Sequence, residues 1–142
     1  MTHVAPPLHG VDLVEPERIA SMIERHGERL LSRLFTDAER AYCEANAKRR
    51  MEHYAARFAA KEAVLKAIGT GWRGGIAWTD VEVTRSTSGA PGLRLCGETG
   101  RIADEIGIAD WRISISHTPK MAIASVIGLG RSAGEPAGAD RT

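Results

Sequence analysis

The stretch from Arg57 to Ile68, Arg-Phe-Ala-Ala-Lys-Glu-Ala-Val-Leu-Lys-Ala-Ile, constrains this chain more than any other. At about 100° per residue, Ala56, Ala60, Ala63 and Ala67 fall in one narrow stripe, and small residues there let a helix sit close to a sheet. The helical signal runs over residues 51–68, is rich in Ala and Leu, and stops at Gly69.

The rest of the chain supplies the other elements. Residues 11–14 form a short β-prone run. Pro16 suits the first turn of a helix whose apolar stripe is Ile19, Met22 and Ile23. Thr36-Asp37-Ala38-Glu39 has capping-box spacing and opens a second helix, expected to run to about Ala47. After Gly69 the period changes to two: residues 78–85 alternate, residues 86–89 turn, and residues 91–96 read as another short strand. A helix is expected over 98–106, then an alternating strand over 111–116, a turn at Thr118-Pro119-Lys120, and a closing strand over 121–127. Helices early and hairpins late give an α+β fold with an antiparallel sheet against the long helix.

The chain has 142 residues, enough for one domain, expected over 8–128, with 1–7 and 129–142 as flexible flanks. Apolar residues make up 43% and charged residues 26%, as in a globular chain. Nineteen Lys plus Arg against eighteen Asp plus Glu leave +1, which argues against a nucleic-acid footprint but permits a local basic pocket. Two cysteines build no disulfide framework. No run reaches the length of a membrane helix, and the N-terminus lacks the order of a signal peptide. The expectation is a soluble cytoplasmic protein with reduced thiols, without a membrane partner.

Three places can hold chemistry. Asp12 is a carboxylate within an apolar strand, which calls for a cation, a metal, or nearby backbone amides. Glu62 and Lys66 are four apart, on one helical face about 6 Å along the axis, at the edge of the alanine stripe. They read as a solvated pair or as groups reaching into a cleft. Gly69-Thr70-Gly71-Trp72-Arg73-Gly74 matches GxGxxG by letter but follows a helix where the dinucleotide fingerprint follows a strand. It is a plain helix stop or a glycine-rich turn whose amides and Thr70 hydroxyl approach an anion. The third place is Ser114-Ile115-Ser116-His117-Thr118. Ser116 and His117 point to opposite faces of a strand and no GxSxG elbow exists, so a hydrolase triad is rejected. His117 is either structural or one of several phosphate donors.

These three segments, in this order, resemble the signatures of the holo-acyl-carrier-protein synthases, the short 4′-phosphopantetheinyl transferases. The blocks are HGVDLVEPERIASM, RFAAKEAVLKAIGTG and ISISHTPKMAIASVI, and the resemblance spans residues 8–127. One departure stands in the first block, where Leu8-His9-Gly10 replaces the usual Gly-Ile-Gly.

The resemblance implies the 4′-phosphopantetheinyl transferase fold. It also implies a reaction: transfer of 4′-phosphopantetheine from coenzyme A to a serine of apo acyl carrier protein, releasing adenosine 3′,5′-bisphosphate. Charge gathers on phosphate oxygens in such a transfer, which calls for cations and positioned donors. By the family pattern Asp12 and Glu62 hold Mg²⁺. Glu62 is a candidate base, and Lys66 offsets phosphate charge. Gly69, Thr70, Gly71, His117 and Thr118 contact coenzyme A. Lys48 and Arg57 are partners for its 3′-phosphate, although Lys48-Arg49-Arg50 also reads as a solvated basic turn.

For the protein substrate, Arg18, Met22, Arg25 and Arg29 are spaced i, i+4, i+7, i+11, a single stripe of the first helix facing an acidic partner, or else a solvated face. Members of this type are homotrimers, which would place Asp12 and Glu62 of one chain beside His117 of the next. Two rival functions stand beside this one: a noncatalytic carrier-binding module that uses only the basic first helix, and a small metal-dependent nucleotide hydrolase that uses the same carboxylates.

Overall fold

A computed structural model describes residues 5–71 and 73–131; Trp72 and the expected flank residues 1–4 and 132–142 lie outside the described residues. Nine elements follow in chain order: β1 (Leu8–Val14), α1 (Pro16–Leu34), α2 (Asp37–Glu44), α3 (Arg50–Ile68), β2 (Val81–Arg85), β3 (Pro91–Leu95), α4 (Gly97–Glu105), β4 (Ile108–His117) and β5 (Ala122–Gly130). The strands make two antiparallel sheets, one of three strands in the order β1-β5-β4 and one hairpin of β2 with β3. The α+β fold with an antiparallel sheet against the long helix is as expected, with the β2–β3 hairpin standing as a second sheet.

α3 lies on the three-stranded sheet as its alanines require. Ala56, Ala60 and Ala63 are fully buried, and facing them on β5 are Ala122, Ala124 and Val126, all at 0% exposure. Methyl groups on both sides bring the backbones together. Gly10 marks the closest approach: a Cβ there would lie 2.0 Å from the Ala63 carbonyl oxygen. Only glycine fits. Val14 of β1, with Ile19, Leu31, Leu34 and Phe35 around α1, and with Cys43, Tyr54 and Phe58, completes the main core.

α3 has no wet side over most of its length. From His53 to Leu65 every residue is buried except Glu62, which is half-buried. That run includes Lys61, whose ammonium is wholly enclosed. Lys61 Nζ donates to Glu39 Oε1 at 2.8 Å and to the carbonyl oxygens of Trp78 and Val81. Glu39 in turn accepts from the backbone amides of Thr36 and Val83. The expected capping box of α2 is thus present, and its glutamate also serves as counter-ion to the central helix.

Several boundaries differ from expectation. α2 ends at Glu44, short of Ala47, and Ala47–Arg49 form a separate 3-10 turn capped by Asn46. β2 begins at Val81 because Trp78–Asp80 make another 3-10 turn, with Asp80 accepting from the Ala77 and Thr99 amides. β5 runs to Gly130, two residues past the expected domain limit at 128, and the Arg131 amide donates to Gly107.

The largest departure is in α1. Gly27 sits at φ 66°, ψ −154°, a non-helical conformation open in practice only to glycine, so α1 is two helical pieces joined there. The i, i+4, i+7, i+11 spacing therefore does not carry through to Arg29. Arg18, Met22 and Arg25 keep their common face on the first piece, while Arg29 belongs to the second.

Candidate active site

Two groupings of the expected residues form, at opposite ends of α3. At its C-terminal end, Lys66 Nζ donates to Asp12 Oδ1 at 2.7 Å and to the Val11 carbonyl oxygen at 3.2 Å. The lysine side chain is 56% exposed and the aspartate 17%. Asp12 faces the helix because it shares the β1 face of Gly10 and Val14, the side that packs on α3. Its cross-strand row is Ala124 of β5 and Ile115 of β4. Glu62 lies one turn before Lys66, beside the Ala63 carbonyl on which Gly10 rests. The contact between strand and helix backbones thus brings the first and middle sequence blocks together.

Beyond Lys66, Gly69 closes the helix in the left-handed region, and its amide donates to the Leu65 and Lys66 carbonyls. That amide is spent on the helix. Gly71 also has positive φ. The Thr70 hydroxyl is buried and has no hydrogen-bond partner among the described residues.

At the N-terminal end of α3, His117 closes β4 on the face of Ile113 and Ile115, as its place in the alternation requires. Its Nδ1 lies 2.8 Å from Glu52 Oε1. The ring meets His53 edge-on, 5.2 Å between centroids. Burial holds the His53 imidazole below its ordinary value, with the charge of Arg57, His117 and Arg85 acting in the same direction. Thr118 caps the β4–β5 turn: its hydroxyl accepts from the Lys120 and Met121 amides.

Arg57, expected as a partner for the 3′-phosphate, is enclosed. Its side chain is 1% exposed, covered by the Tyr42 ring 4.0 Å from Cζ. One guanidinium nitrogen donates to the His53 carbonyl, while Nε and Nη2 have no hydrogen-bond partner among the described residues. Lys48 lies exposed in the 3-10 turn and forms no ion pair with any described residue, whereas nearby Arg50 pairs with Glu44.

Sequence reasoning missed Glu52, the carboxylate that orients His117, and the buried Lys61–Glu39 pair. Glu52 and His117 are 65 residues apart, so no local spacing announces them. Lys61 did carry a signal: a lysine among alanines on a helix with no polar side must be enclosed, and an enclosed lysine needs a carboxylate.

Among the described residues there is no group of three His, Cys, Asp or Glu fit to cage a metal. Two carboxylates suit a hard ion that keeps water and phosphate oxygens as its remaining ligands, and Mg²⁺ is such an ion. The donor set of Asp12 and Glu62 therefore fits it in kind.

Comparisons with known proteins agree with the geometry. The family model described as the 4′-phosphopantetheinyl transferase superfamily matches residues 9–116. A holo-[acyl-carrier-protein] synthase of Koribacter versatilis is 48% identical over 83% of this chain and 94% of its own length. One from Desulforudis audaxviator is 50% identical over 87% and 92%. Among solved structures, the holo-[acyl-carrier-protein] synthase of Neisseria meningitidis superposes with a TM-score of 0.76 at 28% identity, covering 85% of this chain and 96% of that one. The Helicobacter pylori enzyme in complex with coenzyme A gives 0.74 at 29%, covering 85% and 99%. With strand, helix and carboxylates joined as described, the chain belongs to the 4′-phosphopantetheinyl transferase superfamily and, within it, to the holo-[acyl-carrier-protein] synthases.

Proposed function

We propose that this chain transfers 4′-phosphopantetheine from coenzyme A to a serine of an apo acyl carrier protein, with Mg²⁺, releasing adenosine 3′,5′-bisphosphate. The observation that carries this reading is the Lys66–Asp12 contact beside Glu62, which gathers two carboxylates and an ammonium at one open edge of α3. Mg²⁺ bound there would neutralise pyrophosphate charge. Asp12 and Glu62 would hold it, and Lys66 would leave Asp12 to meet phosphate oxygens. Glu62 is the candidate to take the proton of the attacking serine.

His117, held by Glu52, and Arg57, with two nitrogens lacking hydrogen-bond partners among the described residues, are the donors for the coenzyme's 3′-phosphate end; Lys48 is an exposed cation for the same end. The Gly69–Gly71 turn, with its unpartnered Thr70 hydroxyl, lies beside the carboxylate end. Thr118 contributes by fixing the turn after His117. Glu52 and Glu62 stand ten residues apart, about 15 Å along the helix, so the two groupings are separate within one chain. A homotrimer in which His117 of one chain faces Asp12 and Glu62 of the next would join them. The open sheet face supports assembly: Val11, Leu13 and Ile127 are 44%, 56% and 41% exposed on the side away from α3.

The carrier docks on the first piece of α1 through Arg18, Met22 and Arg25, with Arg29 on the second piece at the edge of that contact. The test is intact-protein mass spectrometry of apo carrier incubated with this chain, coenzyme A and Mg²⁺. Addition of one phosphopantetheine, abolished by EDTA and restored by Mg²⁺, is expected. No addition to any carrier in a panel of fatty-acid and polyketide carriers would overturn the reading.

A further inference from the structure

Among the described residues some arginines are held by a carboxylate and others are not, and Arg18, Arg25, Arg29 and Arg49 are exposed without an ion pair, as are two more at one cleft. Arg40, Arg50, Arg94, Arg101, Arg112 and Arg131 are each held by a carboxylate. Arg33 of α1 and Arg73 of the loop after α3 are exposed and have no ion pair with any described residue. Glu98 feels the charge of Arg73, but Arg101 already binds it through two nitrogens, at 2.6 and 2.9 Å.

Arg33 and Arg73 meet across an open cleft of about 560 Å³, whose other walls are Ile76, Ala77 and Trp78. The cleft is continuous with the first piece of α1. Arg18 lies 5.8 Å over the Phe58 ring, and Phe58 stacks on Trp78 at 4.9 Å and 23°. A line of contacts thus runs from Arg18 through two rings to Arg33 and Arg73.

We propose that this cleft is a second docking contact for the acidic carrier protein, in which carboxylates of the carrier meet Arg33 and Arg73 while an apolar neighbour covers Trp78 and Ile76. The proposal rests on the reading that the carrier docks on α1, and it extends that footprint past the break at Gly27. Two physical points select an acidic protein surface. A guanidinium without an internal partner gives up only water when a carboxylate arrives, whereas a paired one must first break its own bridge. And an aromatic wall beside two arginines offers the apolar and charged contacts that an amphipathic helix presents together.

The experiment compares steady-state kinetics of Arg33→Gln/Arg73→Gln, Arg18→Gln/Arg25→Gln, and Arg94→Gln as a paired-arginine control, each with melting temperature measured. The cleft pair should raise KM for apo carrier by about three- to tenfold at low ionic strength, leaving kcat and KM for coenzyme A unchanged. That rise should shrink with added salt, and the control should match wild type. Unchanged carrier KM in the cleft pair, with a rise in the Arg18/Arg25 pair, overturns the cleft and leaves α1 docking intact. No rise in either pair defeats the docking reading itself. A rise in coenzyme A KM in the cleft pair also overturns the proposal, because the anion would then be the coenzyme.

Discussion

Lys61 and Lys66 are five residues apart on one helix, each bonded to one carboxylate, and they live under opposite conditions. The Lys61–Glu39 pair is sealed, both side chains at 0% exposure, with backbone carbonyls and amides filling the remaining valences. The Lys66–Asp12 pair sits at the rim, more than half of the lysine in water. A sealed pair cannot exchange partners without stranding a charge in a medium that solvates it poorly. A rim pair loses little when it opens, because water replaces the contact. The same two residue types thus make a rivet in the middle of α3 and a releasable contact at its end. Only the second is useful for binding a ligand that needs the carboxylate.

The strongest break in this contrast is chemical. Glu62→Gln and Asp12→Asn should each lower kcat/KM for transfer by about a hundredfold or more, with a melting temperature close to wild type. A rate near wild type in both would show that the rim is not where reaction occurs. Next in size, Lys61→Met leaves Glu39 buried without its cation and should cost about 3–5 kcal/mol in urea unfolding. Lys66→Met should cost less than about 1 kcal/mol in the same assay while impairing turnover. Equal destabilisation by the two would erase the distinction.

Gly10→Ala tests the contact that holds the rim together. Its methyl has no room against the Ala63 carbonyl, so a loss of about 1–3 kcal/mol and a fall in activity should appear together. The smallest effect concerns the thiols. Cys43, at 0% exposure in the core, has its thiol pushed up to about 12 by burial; Cys96 is exposed. Iodoacetamide should modify Cys96 in the native protein and Cys43 only after unfolding. A raised folded value means the unfolded chain releases this proton first. Its contribution to stability is therefore intact below pH 9 and declines between about pH 9 and 12, as pH-dependent urea midpoints of wild type and Cys43→Ala would register.

Much of this arrangement was readable in advance, and the boundary of what was readable is physical. The alanine stripe announced the close sheet, the capping box announced α2, and alternation put His117 on the face of Ile113 and Ile115, because each is a short-range rule with a fixed period. The break at Gly27 was invisible, since arginine spacing on either side of it continues the helical period across a residue that does not obey it. The partners of His117 and Lys61 were invisible for another reason. Glu52 and Glu39 reach them through tertiary packing, 65 and 22 residues away, and no period links them. The cover over Arg57 was invisible for the same reason, since Tyr42 lies on another helix.

Gly10 has one more consequence. Where side chains separate two elements, the gap between them depends on how those side chains pack, and substitutions or warming can widen it. Here main-chain atoms themselves touch, so the spacing from strand to helix is set by hard-sphere radii that neither composition nor temperature adjusts. Sequence drift elsewhere in the core can proceed while the span from Asp12 to Glu62 stays constant.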